Sequence, residues 1–334
     1  MREVIVIVSI DTEEDNWHRT RTGVTVENIA ELRGLAAFFD RLGVRPTYFT
    51  SYQVAIDPRA AATLREVSAG GRAEIGAHLH PWNTPPLDEA FVPRNSMLKN
   101  LPADLQRAKL GRLTAALEQA FGLRPRAFRA GRYGLGRETV AALVTDGYRV
   151  DSSVSPFIDL ASRDDGPSFV GAPLEPYYLA PDHEVTHPAS GGTLLEIPLS
   201  YGYSRGPFGF WDPARRFLES PPWRALHLAG LAARTGIVKR LALTPEETSV
   251  REMLTLSQRL LEHGVPHLQV SWHSPTLQAG LSPFGRTAAD VARLYSAIEG
   301  YVDGLSRMAH VTFATISEAA AALREYTAPA GARA

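Results

Sequence analysis

The chain contains no cysteine. That single absence removes a disulfide framework, a thiolate zinc site and a cysteine nucleophile. An excess of either charge is also lacking: 35 lysines and arginines stand against 36 aspartates and glutamates, for a formal net charge of −1. No basic stripe runs along any segment, so nothing recruits a nucleic-acid backbone. Long apolar runs are missing too. The run Val4–Val8 follows Met1-Arg2-Glu3 and is stopped by Asp11, too short for the core of an export signal, with no small-residue cleavage site behind it. Nowhere do about 18 uncharged apolar residues follow one another, so no spanning helix is expected. A cytoplasmic protein is the default expectation. Internal repeats and low-complexity tracts are absent as well.

What is present is an ordinary globular balance, 44% apolar and 21% charged over 334 residues, enough to bury a substantial core. Strand-like and helix-like segments alternate. Strands are expected at Val4–Ile10, Pro46–Thr50, Ala73–His80, Ala127–Arg129, Tyr148–Ser152, Leu194–Leu199, His267–Trp272 and Val311–Ala314. Helices are expected near Val26–Leu42, Pro58–Ser68, Ala103–Phe121, Arg137–Thr145, Ser249–His263, Arg286–Leu305 and Ser317–Tyr326. Such alternation implies parallel pairing through right-handed crossovers. Seven or eight units point to an α/β fold that is a closed or nearly closed (β/α) barrel, which can exceed 250 residues as one domain. One catalytic domain over residues 1–328 is therefore expected, with a disordered tail at 329–334. Two excursions interrupt the rhythm, at about 156–192 and 201–246. Within the second, Trp223–Leu243 carries Arg224, Arg234, Lys239 and Arg240 among apolar residues. It reads as a covering helix or lid, with a basic helix resting on a membrane surface as the alternative. His183 and His187 sit among prolines and glycines and read as loop residues.

In a parallel barrel the functional side chains gather at the C-terminal strand ends. The first strand ends Asp11-Thr12-Glu13-Glu14-Asp15, four carboxylates that repel unless a cation or hydrogen bonds neutralise them. Asp11 and Glu13 share a face of extended chain. One can hold a metal while the other takes a proton; a solvated acidic loop or helix start is the plainer alternative. The third strand ends His78-Leu79-His80-Pro81-Trp82. Imidazoles at i and i+2 point the same way and, with one carboxylate, suit zinc or a similar ion. Trp82 would wall the site as a platform for a sugar ring, or simply pack in the loop. Arg129 or Arg132, in Arg129-Ala130-Gly131-Arg132-Tyr133, could orient a carboxylate, and Asp151-Ser152-Ser153 could bond either arginine. His273 closes the penultimate strand, where a general acid with a near-neutral pKa would be useful. The dinucleotide-binding glycine spacing and the nucleophile elbow are both missing.

Taken together, these ordered motifs resemble the polysaccharide deacetylase superfamily, the NodB homology domain or carbohydrate esterase family 4 type, from Asp11 to His273. The resemblance implies a distorted (β/α)7–8 barrel holding one divalent ion. It implies zinc, with manganese, cobalt, nickel or iron as other candidates. Residue by residue, it makes Asp11 the base, Glu13 the acidic ligand, His78 a histidine ligand, Arg129 the group that orients the base and His273 the acid. The acidic motif here is Asp-x-Glu rather than adjacent aspartates, so Glu14 or Asp15 competes with Glu13. The family's second histidine falls four residues after the first, which here is Trp82; the same-face argument assigns His80 instead. Trp82, Arg132 and Tyr133 are the expected substrate contacts.

The expected activity is removal of an N-acetyl or N-formyl group from an amino sugar, free or nucleotide- or lipid-linked. Peripheral membrane contact accompanies the lipid-linked option. Two other classes remain: a metal-independent C–N hydrolase acting on a small ring amide, allantoinase-like, and an inactive carbohydrate-binding barrel.

Overall fold

The β-branched run after Arg2 forms the longest strand and the axis of the sheet. In the computed structural model, residues 2–17, 20–220 and 238–324 are described. Eleven strands occur among them: β1 (Arg2–Thr12), β2 (Thr47–Thr50), β3 (Glu74–Leu79), β4 (Ala127–Ala130), β5 (Val150–Asp151), β6 (Tyr177–Leu179), β7 (Leu194–Glu196), β8 (Tyr201–Tyr203), β9 (Arg240–Ala242), β10 (His267–His273) and β11 (Ala309–Ala314). Nine form one sheet in the order β10-β1-β2-β3-β4-β5-β7-β6, with β11 also on β1. β11 pairs with the first half of β1 and β2 with its last residues, while β10 runs beside it from Ile5 to Asp11. Every pairing in this sheet is parallel except β6 with β7.

The sheet curls as a distorted barrel but its ladder does not close. Leu194–Leu199 yields only the three-residue strand β7, because Pro198 has no N–H for a ladder. The gap to β10 is crossed by isolated bonds: His267 Nε2 to the Pro198 carbonyl (3.0 Å), Gln269 N–H to Ser200 Oγ (2.9 Å) and Ser271 N–H to the Leu243 carbonyl (3.0 Å).

Side-chain alternation layers the interior from bottom to top. On β1, Ile7, Ser9 and Asp11 share one face. Ile7 joins Phe49, Ala127, Val150 and Leu195 against the helix Ile316–Leu323, an apolar floor. Above it Gln269 Nε2 donates to Ser9 and Ser152 hydroxyls, both at 3.0 Å, in a polar middle layer. Asp11 stands at the top. The outer faces of β1 and β10 carry apolar residues that pack under helices Leu32–Leu42, Pro58–Ser68, Val250–Glu262 and Ala288–Ser306.

Helices Pro58–Ser68, Ala103–Phe121 and Arg137–Thr145 have the bounds expected from apolar spacing. Val26–Leu42 instead opens as a 3-10 turn, Glu27–Glu31, before the α-helix. The excursion at 156–192 is more than surface. It supplies the edge strand β6 and buries Phe169, Tyr177 and Leu179, apolar positions too scattered to stand out among prolines and glycines. In the second excursion a helix, Phe208–Glu219, tolerates Pro213, and β8 pairs with β9. Of the expected covering helix Trp223–Leu243, residues 223–237 lie outside the described residues, and its end is strand β9. The tail at 329–334 lies outside them too. Among the described residues no helix is long and apolar enough to cross a membrane.

The loop after β3 is pinned from below. Lys109, fully buried on helix Ala103–Phe121, donates to the carbonyls of Pro81 (2.9 Å), Thr84 (2.8 Å) and Pro86 (2.5 Å) and pairs with Glu89 at 2.9 Å. Its ammonium does what a bound monovalent cation would do for a loop of inward carbonyls. Arg21, 2.7 Å from Glu89, still answers that carboxylate, so replacing Lys109 with methionine leaves three carbonyls short of a donor, at a cost of about 1–3 kcal/mol. Lys109→Met should lower the denaturant midpoint accordingly; an unmoved midpoint would show that the loop is held by other means.

Candidate metal centre and active site

Parallel register sets the site. Asp11 lies beside His273 across β1 and β10, and His78 beside Arg129 across β3 and β4. Glu13 follows β1 and is buried. Its Oε2 approaches His80 Nε2 at 3.0 Å and His78 Nε2 at 3.3 Å, and its Oε1 is buried with no hydrogen-bond partner. Ligand atoms of Glu13, His78 and His80 all lie within 4.8 Å of one another, a group that could hold a metal ion.

Each imidazole is anchored by its other nitrogen. His78 Nδ1 bonds the Arg129 carbonyl at 3.0 Å, and His80 Nδ1 bonds Glu14 Oε1 at 2.8 Å. With Nδ1–H so donated, both Nε2 lone pairs point at Glu13, the orientation that backbone and carboxylate partners impose on metal-binding histidines. Burial opposes charge on His80, yet Glu14 and Glu13 overcome it and hold its pKa up at about 10. Positive charge is therefore favoured between Nε2 and Glu13, and either a proton or a cation supplies it. Two nitrogens and one carboxylate oxygen, with an orphaned acceptor beside them, fit a zinc-type ion.

The competing acids are committed elsewhere. Glu14 takes His80, Asn83 and Ser51; burial alone would raise its pKa, but His80 and Asn83 bring it to about 2. Asp15 accepts from the N–H groups of Glu27 and Asn28, fixing the entry to the next helix. Neither is in the metal group. Gly131 makes the close approach possible: a Cβ there would sit 2.4 Å from His80 Cδ2.

Asp11 is held by Arg129, whose Nη1 meets Oδ1 at 2.6 Å. Arg129 is itself fixed by the Ser152 carbonyl and Ser9 hydroxyl, both at 2.9 Å, and lies 4.2 Å over the Phe49 ring. Burial pushes the Asp11 pKa up, but Arg129, with His78 and His273, holds it at about 2. Arg132 does not compete for Asp11. It reaches Ser96 and Asp164 instead, at 2.5 and 3.2 Å. Of the neighbouring Asp151-Ser152-Ser153, Ser152 bonds Arg129, whereas Asp151 turns to Ser153.

On the opposite side, His273 Nε2 stands 4.0 Å from Asp11 Oδ2. Its Nδ1 bonds Glu246 Oε2 at 2.9 Å, and its N–H and the Thr276 hydroxyl bond the other oxygen. Burial would lower the His273 pKa, but Glu246 raises it to about 9. Sequence reasoning missed Glu246 because it falls at the end of the second excursion, outside any expected strand end. It missed Ser9 and Gln269 as well; their signal was a polar residue at an inward strand position.

Two cavities of about 480 Å³ meet over this centre, sharing Asp11, Tyr133, His273 and Phe284. Trp82 and Arg132 line the one above the metal group. The Trp82 ring is no open platform. It stacks on His80 at 4.2 Å and is only 5% exposed, so it buttresses a candidate ligand. Arg132 and Tyr133 have φ of 52° and 60°, left-handed values costly for non-glycine residues and typical of functional strand ends.

No family model and no curated protein matches the sequence. Solved structures do. A putative polysaccharide deacetylase from Mycobacterium smegmatis aligns over 97% of this chain and 92% of its own, with 19% identity and a TM-score of 0.56. The Xyl-CE4 domain of a multidomain xylanase from the hindgut metagenome of Trinervitermes trinervoides aligns over 95% and 89%, with 10% identity and a TM-score of 0.45. A CE4 family pseudoenzyme from Bacillus anthracis aligns over 95% and 65%, with 13% identity and a TM-score of 0.43. The first of these carries the comparison: the chain has the fold of a polysaccharide deacetylase, as its motifs suggested.

The His273–Glu246 pair has a definite pH signature. A raised histidine pKa adds stability that is complete below the ordinary value near 6.5 and is lost as pH rises through about 9. The ring is 31% exposed, so water screens the pair and the gain is modest. In Glu246→Gln the His273 ring protons should titrate close to the ordinary value by NMR. A midpoint still near 9 would remove Glu246 as the cause.

Proposed function

We propose that the protein is a metal-dependent hydrolase that removes an N-acetyl or N-formyl group from an amino sugar, through one catalytic domain spanning residues 1–328. The observation carrying this reading is the orphaned, buried Glu13 carboxylate facing two oriented Nε2 atoms, beside an aspartate held ionised by an arginine. Glu13, His78 and His80 are the proposed ligands, and zinc the proposed ion. When bound, the ion supplies polarisation of the acyl carbonyl and acidification of water.

The remaining chemistry belongs to the side chains. Asp11 Oδ1 is occupied by Arg129, so Oδ2 is the atom free to take a proton from the attacking water. A carboxylate with a pKa near 2 is always ionised but is a weak base, which is why it needs an acidified water. The water oxygen bonds the acyl carbon, and the carbon–nitrogen bond breaks. His273, held protonated by Glu246, gives its Nε2 proton to the departing amine. Arg132 and Tyr133 line the cavity over the acyl group and are the proposed substrate contacts, with Trp82 acting through His80. Nucleotide- and lipid-linked amino sugars are within the proposed substrate range.

Acetate or formate release from a panel of N-acylated amino sugars tests the reading. Asp11→Asn should cut turnover by about 10²–10⁴ with the fold unchanged. Exhaustive chelation should abolish release and added zinc restore it. Full activity after chelation would remove the ion from the reaction.

A further inference from the structure

The second cavity lies on the far side of Asp11 and His273 from the metal group and holds several charged groups. Arg129 is answered by Asp11, and Glu246 by His273 and Thr276. Lys239 pairs with Glu252 at 2.9 Å, and Glu247 is exposed. Arg240 is different. It is half-buried, and its Nη1 donates to the Phe157 carbonyl at 3.1 Å. Among the described residues it makes no ion pair. Arg240, Leu241 and Ala242 of β9 all line the cavity, Leu241 as a buried apolar wall beside the Arg240 guanidinium. Its charge is close enough to act on the Tyr201 hydroxyl, which stands 3.4 Å from that of Tyr133.

We infer that Arg240 marks a second subsite, which binds a phosphoryl substituent of the substrate while the acyl amide lies at Asp11 and His273. This assignment rests on the deacetylase reading for what fills the first subsite. A half-buried guanidinium that meets no carboxylate among the described residues is costly to hold, and a bound anion relieves that cost. The planar fork presents parallel N–H donors that match phosphate oxygens, and the neighbouring phenols add further donors. Because the two cavities join at Tyr133 and His273, a sugar whose amide reaches His273 can extend its anomeric substituent toward Arg240. The substrate class is then a phosphorylated amino sugar, whether a free sugar phosphate or one carried on a nucleotide or lipid.

The test compares N-acetylated glucosamine, galactosamine and mannosamine, each free and as its 1-phosphate. The phosphates should be favoured by about 10- to 100-fold in kcat/KM. In Arg240→Gln that ratio should fall to about one, chiefly through KM. Arg163→Gln, altering the exposed arginine of the metal-side cavity, should keep the ratio. Equal use of free and phosphorylated sugars overturns the inference while leaving the deacetylase reading intact. Loss of the ratio in Arg163→Gln, but not in Arg240→Gln, overturns it too, by placing the phosphate in the other cavity. Should no sugar be hydrolysed, calorimetric binding of the 1-phosphates decides. Binding that Arg240→Gln abolishes keeps the subsite and sinks the deacetylase reading; absence of binding sinks the subsite.

Discussion

A carboxylate taken out of water must find positive charge or hydrogen-bond donors, and that constraint organises the upper end of this barrel. Four acids fall within five residues, Asp11–Asp15, where β1 ends, and each finds a different answer. Asp11 has the guanidinium of Arg129. Glu14 has His80, Asn83 and Ser51. Asp15 has the backbone amides at Glu27 and Asn28. Glu13 turns Oε2 toward two histidines, while its Oε1 is buried with no hydrogen-bond partner among the described residues. The candidate metal site is thus the place where the polypeptide leaves one demand to be met from outside.

The same demand explains why the proposed acid and base can coexist a few ångströms apart. Arg129 depresses Asp11 and Glu246 elevates His273, so the two ionisations lie on opposite sides of neutrality. A carboxylate and an imidazolium can then both be charged over a broad pH range, the condition under which one accepts a proton and the other gives one. The polar layer of Ser9, Ser152 and Gln269 beneath them holds Arg129 in place without adding further charge.

The sequence showed the strand ends well because buried strands leave a strong pattern and polar residues interrupt it abruptly. Asp11, Glu13, His78, His80, Arg129 and His273 could all be named from that pattern, and the parallel register brings them together. What local pattern could not show was partnership. Nothing in Pro245-Glu246-Glu247 says that Glu246 will meet His273, since the pair depends on how a loop crosses a strand end. Trp82 shows the same limit: beside a candidate ligand it reads either as a platform for substrate or as loop packing, and only the fold shows its ring stacked on His80. Helices with strong apolar spacing kept their bounds. The short strands β6, β8 and β9 escaped notice because three residues carry no periodicity.

The pairing of β1 also shapes how such a chain can assemble. Strand β1 finds two of its three neighbours, β10 and β11, more than 250 residues later in the sequence. Until those residues emerge, a run of valine and isoleucine waits with an edge exposed, a high-contact-order arrangement that folds slowly and is prone to aggregate. The apolar floor built on Ile316–Leu323 must form later still. Loss of the final fifth of the polypeptide would therefore strip the barrel of strands lying directly against β1, rather than trim a peripheral element.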